Sequence, residues 1–289
     1  MDDDTVTWRR LWDETATVVG DRVEARWLCE VASASADGDD FLRRLDEQAT
    51  VRMVAHLDAM TARRRAGEPL QYVLGEWSFR RITLAVDRRV LIPRPETELV
   101  AEVALDKAAA VGPTRVVADL GTGSGAIGLS MAVELPRQGT TVWITDMSVD
   151  ALDVARANLA GIGPAGVNVR VAVGSWFDAL PPGTRLDVAV ANPPYVAEAS
   201  PELADDVRDW EPHEALFAGP DGLDAIRTIV ADAPRSLVPD GWLVMEIGSD
   251  QGDAVADLLQ RGGFVDVEVR ADLAGRPRIA LARRRRTGT

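Results

Sequence analysis

The chain is poor in the groups that most readily announce a chemistry. Its one cysteine, Cys29, excludes an intrachain disulfide, and the surrounding "EARWLCEVA" is an apolar helical pattern that reads as a place for a buried core thiol. The two histidines, His56 and His213, lie far apart, and no ligand spacing for a metal is present. No run reaches the roughly 18 unbroken apolar residues that a membrane helix requires. The opening "MDDDTVTWRR" is acidic where a secretory leader is basic and then apolar, so a cytoplasmic protein with no membrane partner is expected. Positive charge is also in deficit, with 32 Lys and Arg against 46 Asp and Glu, a net charge of -14 and a pI near 4.7. That balance disfavours direct binding of nucleic acid, whose affinity rests on basic residues displacing counterions. Two short basic clusters, residues 63–65 and 283–286, read as a solvated helix face and a frayed tail.

What is present is ample material for folding: 289 residues, 46% hydrophobic and 27% charged, enough for one large domain and a small one. Up to about Gly67 apolar residues recur at three and four spacing, which predicts helices over 8–19, 22–32 and 40–67, the last capped by Asp39 or Asp40 and stopped by Gly67. From Gly75 to Pro93 the pattern alternates (Ile82, Leu84, Val86) with a turn near Asp87, as in a hairpin. The expected division is a helical domain over 1–74, a hairpin linker over 75–93 and a catalytic domain over 94–289. From Arg115 onward β-rich runs alternate with helical ones, and the last two runs, "FVDVEVR" and "RPRIALAR", have no helix between them. This is an α/β pattern: a mostly parallel sheet with an antiparallel strand near one edge.

The first of these strands runs into "DLGTGSGAIG", residues 119–128, which contains G-x-G-x-x-G at Gly123, Gly125 and Gly128. Glycines there permit a tight turn and close backbone approach to a ligand, and the helix that follows presents free N–H groups. The next strand ends at Asp146, a carboxylate placed to accept both hydroxyls of a ribose, although it can equally cap the helix starting near Ser148. Together they suit an adenosine ligand. They do not separate NAD from S-adenosylmethionine.

The fourth strand, "RLDVAVA", delivers Asn192, Pro193, Pro194 and Tyr195 to the same carboxyl edge. Consecutive prolines have fixed φ and no N–H, so this loop is rigid and rich in acceptors. The Asn192 side-chain oxygen and the Pro193 carbonyl can each accept one hydrogen of an NH2 group, with Tyr195 as a flat wall. Hydride transfer gains nothing from such a clamp. A weakly nucleophilic planar amine attacking a methyl sulfonium does, because two acceptors align it and stabilise the charge that grows on it.

These residues resemble the NPPY subgroup of class I S-adenosylmethionine-dependent methyltransferases, whose members modify exocyclic amines of bases or the side-chain amide of glutamine. Residues 71–100, "DLGTGSGAIG", "GSWFDAL", "NPPYV" and "WEPHEALFAGPDGLDAIRTI" together resemble the release factor glutamine methyltransferase family over nearly the whole chain. The resemblance implies a Rossmann-like class I methyltransferase domain behind a small helical domain. It also implies S-adenosyl-L-methionine as cofactor and methylation at N5 of the glutamine in the Gly-Gly-Gln motif of class-1 peptide-chain release factors. Carried onto this sequence, Gly121, Thr122, Gly123, Ser124 and Gly125 hold the methionine part of the cofactor, Asp146 its ribose and Trp176 its adenine. Asn192, Pro193, Pro194 and Tyr195 bind the glutamine amide, with Asn192 also near the cofactor, and residues 94–98, with Glu96 and Glu98, shape the entrance. The helical domain is expected to dock the release factor and the enzyme to act as a monomer; His213 receives no role. The alternatives are an adenine-N6 or other nucleic-acid amine methyltransferase, which the acidic balance disfavours, and a non-catalytic cofactor-binding adaptor, which calls for a degraded clamp.

Overall fold

The computed structural model describes residues 6–200 and 204–286. The acidic start on which the absence of a leader was read lies largely outside them. By contacts the chain divides into two compact units, one running to Glu76 together with Asp205–Trp210, the other comprising Trp77–Ala204 and the chain from Glu211 onward. No helix among the described residues is long and apolar enough to cross a membrane.

The first unit is helical: α1 (Trp8–Val19), α2 (Arg22–Ala32), α3 (Gly38–Arg43), α4 (Val51–Arg65) and α5 (Leu70–Leu74). Its core holds Trp8, Leu28, Phe41 and Leu57, with Trp8 and Trp12 both edge-on to Phe41 at 6.2 and 6.0 Å. Cys29 is fully buried there, and desolvation pushes its thiol up to about 12, as befits an inert core group. The expected helix over 40–67 is two helices. Residues 45–49 leave the helical path because their backbone pairs with the chain entering α1: Trp8 N–H donates to Glu47 O, Arg9 N–H to Leu45 O and Ala49 N–H to Val6 O. The cap of α3 is Asp37, whose carboxylate accepts from Asp40 N at 2.7 Å, rather than Asp39 or Asp40. Nor is the first basic cluster merely solvated. Arg63 grips the buried Glu68 through two bonds of 2.7 and 2.8 Å, and Arg64 grips Glu24 through two of 2.7 and 3.0 Å.

The larger unit carries the hairpin β1 (Glu76–Phe79) and β2 (Ile82–Ala85), then α6 (Pro95–Ala109) and an alternating series. This series is β3 (Arg115–Leu120), α7 (Ala126–Glu134), β4 (Thr140–Asp146), α8 (Val149–Gly161), β5 (Val169–Val173) and β6 (Leu186–Ala191). After α9 (Asp205–Trp210), which groups with the helical unit, come α10 (Asp224–Ser236), β7 (Leu237–Glu246), α11 (Gly252–Arg261), β8 (Phe264–Ala271) and β9 (Pro277–Arg284). Seven strands form one sheet in the order β5-β4-β3-β6-β7-β9-β8, with β9 antiparallel to both its neighbours and β3 to β7 parallel. The turn near Asp87 is present, closed by Val90 N–H to Asp87 O at 3.1 Å, but it follows β2; the turn that joins the two hairpin strands falls at Arg80 and Arg81. Arg80 has φ +49°, held by its N–H to Glu98 Oε1 and by a two-bond ion pair with Glu134. The second basic cluster is likewise partnered: Arg283 and Arg284 lie in β9, Arg283 pairs with Asp240 and Asp266, and Arg286 approaches Asp240 at 3.7 Å.

Helix α7 lies unusually close to the sheet at Gly128. A Cβ there would sit 2.4 Å from Ile144 Cγ2 and 3.0 Å from Asp119 Cβ. Gly128→Ala gains about 1 kcal/mol of helix propensity, but overpacking a filled core costs up to about 3 kcal/mol. The steric cost wins, and a loss of about 2 kcal/mol is expected, read as a lower urea midpoint at unchanged slope.

Candidate active site

The carboxyl ends of β3, β4 and β6 are adjacent, so the turns that follow them meet in one crevice. Its empty space, open mouth included, is about 1040 Å³. Gly121, Thr122, Gly123, Ser124, Asp146, Trp176, Asn192 and Pro194 all line it, whereas Gly125, Pro193 and Tyr195 do not.

The glycine loop is held from three sides. Below it, Asp119 at the end of β3 is buried and its Oδ2 accepts the Thr122 hydroxyl at 2.5 Å and Gly128 N–H at 2.8 Å. From β4, Asp146 Oδ2 accepts Gly123 N–H while Oδ1 accepts Ser148 N–H, each at 2.9 Å. From α8, Asn158 Nδ2 donates to Ser124 O at 2.8 Å and to Ala85 O at 3.0 Å, so the hairpin and the loop are fastened by one side chain. Gly121, Gly123 and Gly125 have φ of +71°, +54° and +90°, a backbone path that side-chain-bearing residues rarely follow. A Cβ on Gly121 would also lie 3.0 Å from the Trp176 ring, so glycine lets the indole close over the loop. Trp176 itself is held at φ +45°, an uncommon state for a bulky residue and one that sites retain when it aims a side chain.

Of the two roles foreseen for Asp146, capping α8 falls instead to Ser148, whose side chain accepts Ala151 N–H, while Asp146 steadies the loop through Gly123 N–H and the turn into α8 through Ser148 N–H. Each Asp146 oxygen keeps a second lone pair for a ligand hydroxyl. Desolvation raises its pKa, opposed by the backbone N–H groups it accepts, and the charge of Glu214 on the cleft wall raises it further. Desolvation likewise pushes Asp119 up to about 6 against the bonds from Thr122 and Gly128. A glycine cradle over carboxylates fits an adenosine ligand that carries positive charge, and it suits a pyrophosphate less.

On the other side of the crevice, Asn192 directly follows the end of β6 at Ala191. Asn192 Nδ2 donates to Thr97 Oγ1 at 3.3 Å, and Thr97 in turn donates to Glu246 Oε2 at 2.6 Å. Tyr195 donates its hydroxyl to Glu246 Oε1 at 3.0 Å, and its ring packs beside the core with the Arg278 guanidinium 5.9 Å from the ring centre. The Tyr195 carbonyl is gripped by Gln251 Nε2 at 3.0 Å. Within residues 94–98, Arg94 pairs with the buried Glu211, which also accepts Ile92 N–H at 3.1 Å, and Glu98 serves the hairpin turn. His213 stacks edge-on to Phe217 at 5.5 Å. Asp119 and Glu246 were not singled out from the sequence. Each follows an apolar run, Val116–Ala118 in β3 and Trp242–Met245 in β7, and a carboxylate buried there has to be partnered.

A mostly parallel sheet with a pinned glycine loop, a carboxylate at the neighbouring strand tip and an Asn-Pro-Pro-Tyr loop facing them defines a class I S-adenosylmethionine-dependent methyltransferase. Residues 97–207 match the family described as Methyltransferase small domain, and residues 14–75 match the PrmC N-terminal domain. A T. thermophilus 16S rRNA methyltransferase, solved in complex with AdoMet and guanosine, shares the fold with a TM-score of 0.51 at 17% identity, over 73% of this chain and 50% of that one. Two relatives define the family more narrowly. The release factor glutamine methyltransferase of Burkholderia pseudomallei is 45% identical, covering 84% of this chain and 85% of its own length. That of Pseudomonas aeruginosa is 44% identical, covering 90% and 93%. The chain belongs to the release factor glutamine methyltransferase family.

Proposed function

We propose that the protein transfers a methyl group from S-adenosylmethionine to the side-chain amide nitrogen of the glutamine in the Gly-Gly-Gln motif of class-1 release factors. The observation that carries the reading is the orientation of Asn192. Its NH2 faces Thr97, so its Oδ1 is the edge left to receive an N–H donor beside the glycine loop. The cofactor, when bound, supplies an electrophilic methyl on a sulfonium. Gly121 to Gly125 line or shape its cradle, Asp146 accepts its ribose hydroxyls and Trp176 covers its base. Asn192 Oδ1 and the Pro193 carbonyl accept the two amide hydrogens of the substrate and favour the positive charge that develops on nitrogen. Pro194 walls the crevice beside Asn192, and Tyr195 fastens the loop through Glu246. The nitrogen gains a methyl and loses one proton to solvent, so no strong base is needed.

The helical unit, matched to the PrmC N-terminal domain, is assigned to docking the release factor. The net charge of -14 favours a protein substrate over DNA or RNA. A cytoplasmic monomer, whose crevice stays open to a substrate as large as a release factor, completes the reading. The test offers labelled S-adenosylmethionine with a release factor, with the same factor lacking the Gly-Gly-Gln glutamine, and with duplex DNA. Label is expected on the intact factor alone. Label on DNA, or on the factor without that glutamine, would overturn the assignment.

A further inference from the structure

We infer that Glu246 is a positioning residue: through Thr97 it dictates which edge of the Asn192 amide faces the crevice, and through Tyr195 it anchors the other end of the same loop. The consequence is a specificity rule. The site admits a planar group that donates N–H and rejects one that only accepts. The inference rests on the proposed methyl transfer for its kinetic arm but not for its structural arm.

Glu246 closes β7 inside the sheet, is fully buried, and is approached by hydroxyls from two other segments. As a carboxylate it accepts only, so both hydroxyls must donate to it. Having spent its proton on Glu246 at 2.6 Å, Thr97 can offer Asn192 nothing but a lone pair. Only the NH2 of Asn192 can satisfy it, which leaves Oδ1 on the opposite edge of the amide. A carboxylate that touches no substrate thus sets the polarity of the group that does.

The same network is a switch. Burial pushes Glu246 up to about 7, opposed by its bonds from Thr97 and Tyr195, with Glu96 on α6 raising it and Arg278 on β9 lowering it. Protonated, Glu246 can donate to one hydroxyl; Thr97 is then free to donate to Asn192, and the amide is no longer held one way round. The working state lies above the transition and is lost as pH falls through about 7. Glu246→Gln imitates the protonated form at every pH.

The structural arm follows the Asn192 side-chain amide by 1H–15N spectroscopy in the full-length protein without ligand. Its signals are expected to titrate near neutral pH in the wild type and to be pH-invariant in Glu246→Gln. The kinetic arm measures kcat and KM with release factor from pH 6 to 9. Glu246→Gln and Thr97→Val are each expected to lower kcat about 10-fold, the scale of one hydrogen bond to a charged group, with KM for S-adenosylmethionine unchanged. Thr97→Ser, which keeps the hydroxyl, is expected to restore kcat, and Glu246→Gln to abolish the acid limb. A wild-type amide that does not titrate, or Thr97→Val with wild-type kcat, would overturn the inference. Should Glu246→Gln fail to fold, the wild-type titration and the Thr97 pair still decide. A wild type that titrates as expected yet leaves the release factor unmethylated would refute the proposed substrate and not the network.

Discussion

Asn192→Ala is expected to lower turnover by about 100-fold or more while cofactor binding survives, the scale of removing one pre-aimed acceptor from a developing charge. The side chain is placed at the crevice by the end of β6 and oriented by Thr97, so it is fixed before substrate arrives. A group that needs no reorganisation acts on the transition state more than on the ground state, and its loss therefore falls on kcat rather than on KM. Asn192→Asp is the instructive companion. It restores an acceptor toward the substrate but confronts the Thr97 lone pair with a second one, and only partial recovery follows. Single-turnover kinetics with release factor, beside calorimetry with S-adenosylmethionine, separates the two steps. Wild-type turnover in Asn192→Ala would show that the methyl acceptor is not held by this loop.

Much of this architecture could be read from the chain alone because it is written in local signals. Alternating β-rich and helical runs predict parallel strands, and parallel strands bring every turn that follows them to one edge. Gly121 to Gly125 and Asn192 lie in such turns and Asp146 at the tip of such a strand, which is why the sequence alone brings them to one edge. What escaped was decided by distant partners. Residues 45–49 leave a helix because of pairing with residues 6–9. Arg80 turns the hairpin with positive φ although neither it nor Arg81 is a turn-forming residue, because Glu98 and Glu134 hold it. Tyr195 reads as a wall from its chemistry, yet its hydroxyl is committed to Glu246, 51 positions along the chain. Glu246 itself lies in the run "LVMEI", where periodicity registers only a strand.

Asp146→Ala is expected to weaken S-adenosylmethionine by about 100-fold, since two hydrogen bonds to a charged acceptor are each worth about 1.5 kcal/mol or more. The residue carries a double load, and that makes the variant informative. Removing the carboxylate takes away the acceptors proposed for the ribose and also releases Gly123 N–H and Ser148 N–H. The helix behind it should persist, because Ser148 Oγ still caps Ala151 N–H and the loop is still held by Asp119 and Asn158. The defect should therefore appear as lost affinity with a nearly unchanged melting temperature. Asp146→Asn resolves the two loads. Its remaining oxygen can serve one neighbour, but its NH2 must face either Gly123 N–H or Ser148 N–H, donor against donor. If the carboxylate acts chiefly by ordering the loop, Asn should be as damaging as Ala; if by accepting from the ribose, Asn should recover part of the affinity. Calorimetry on the three proteins reads the difference directly, and unchanged affinity in Asp146→Ala would remove this residue from the cofactor site.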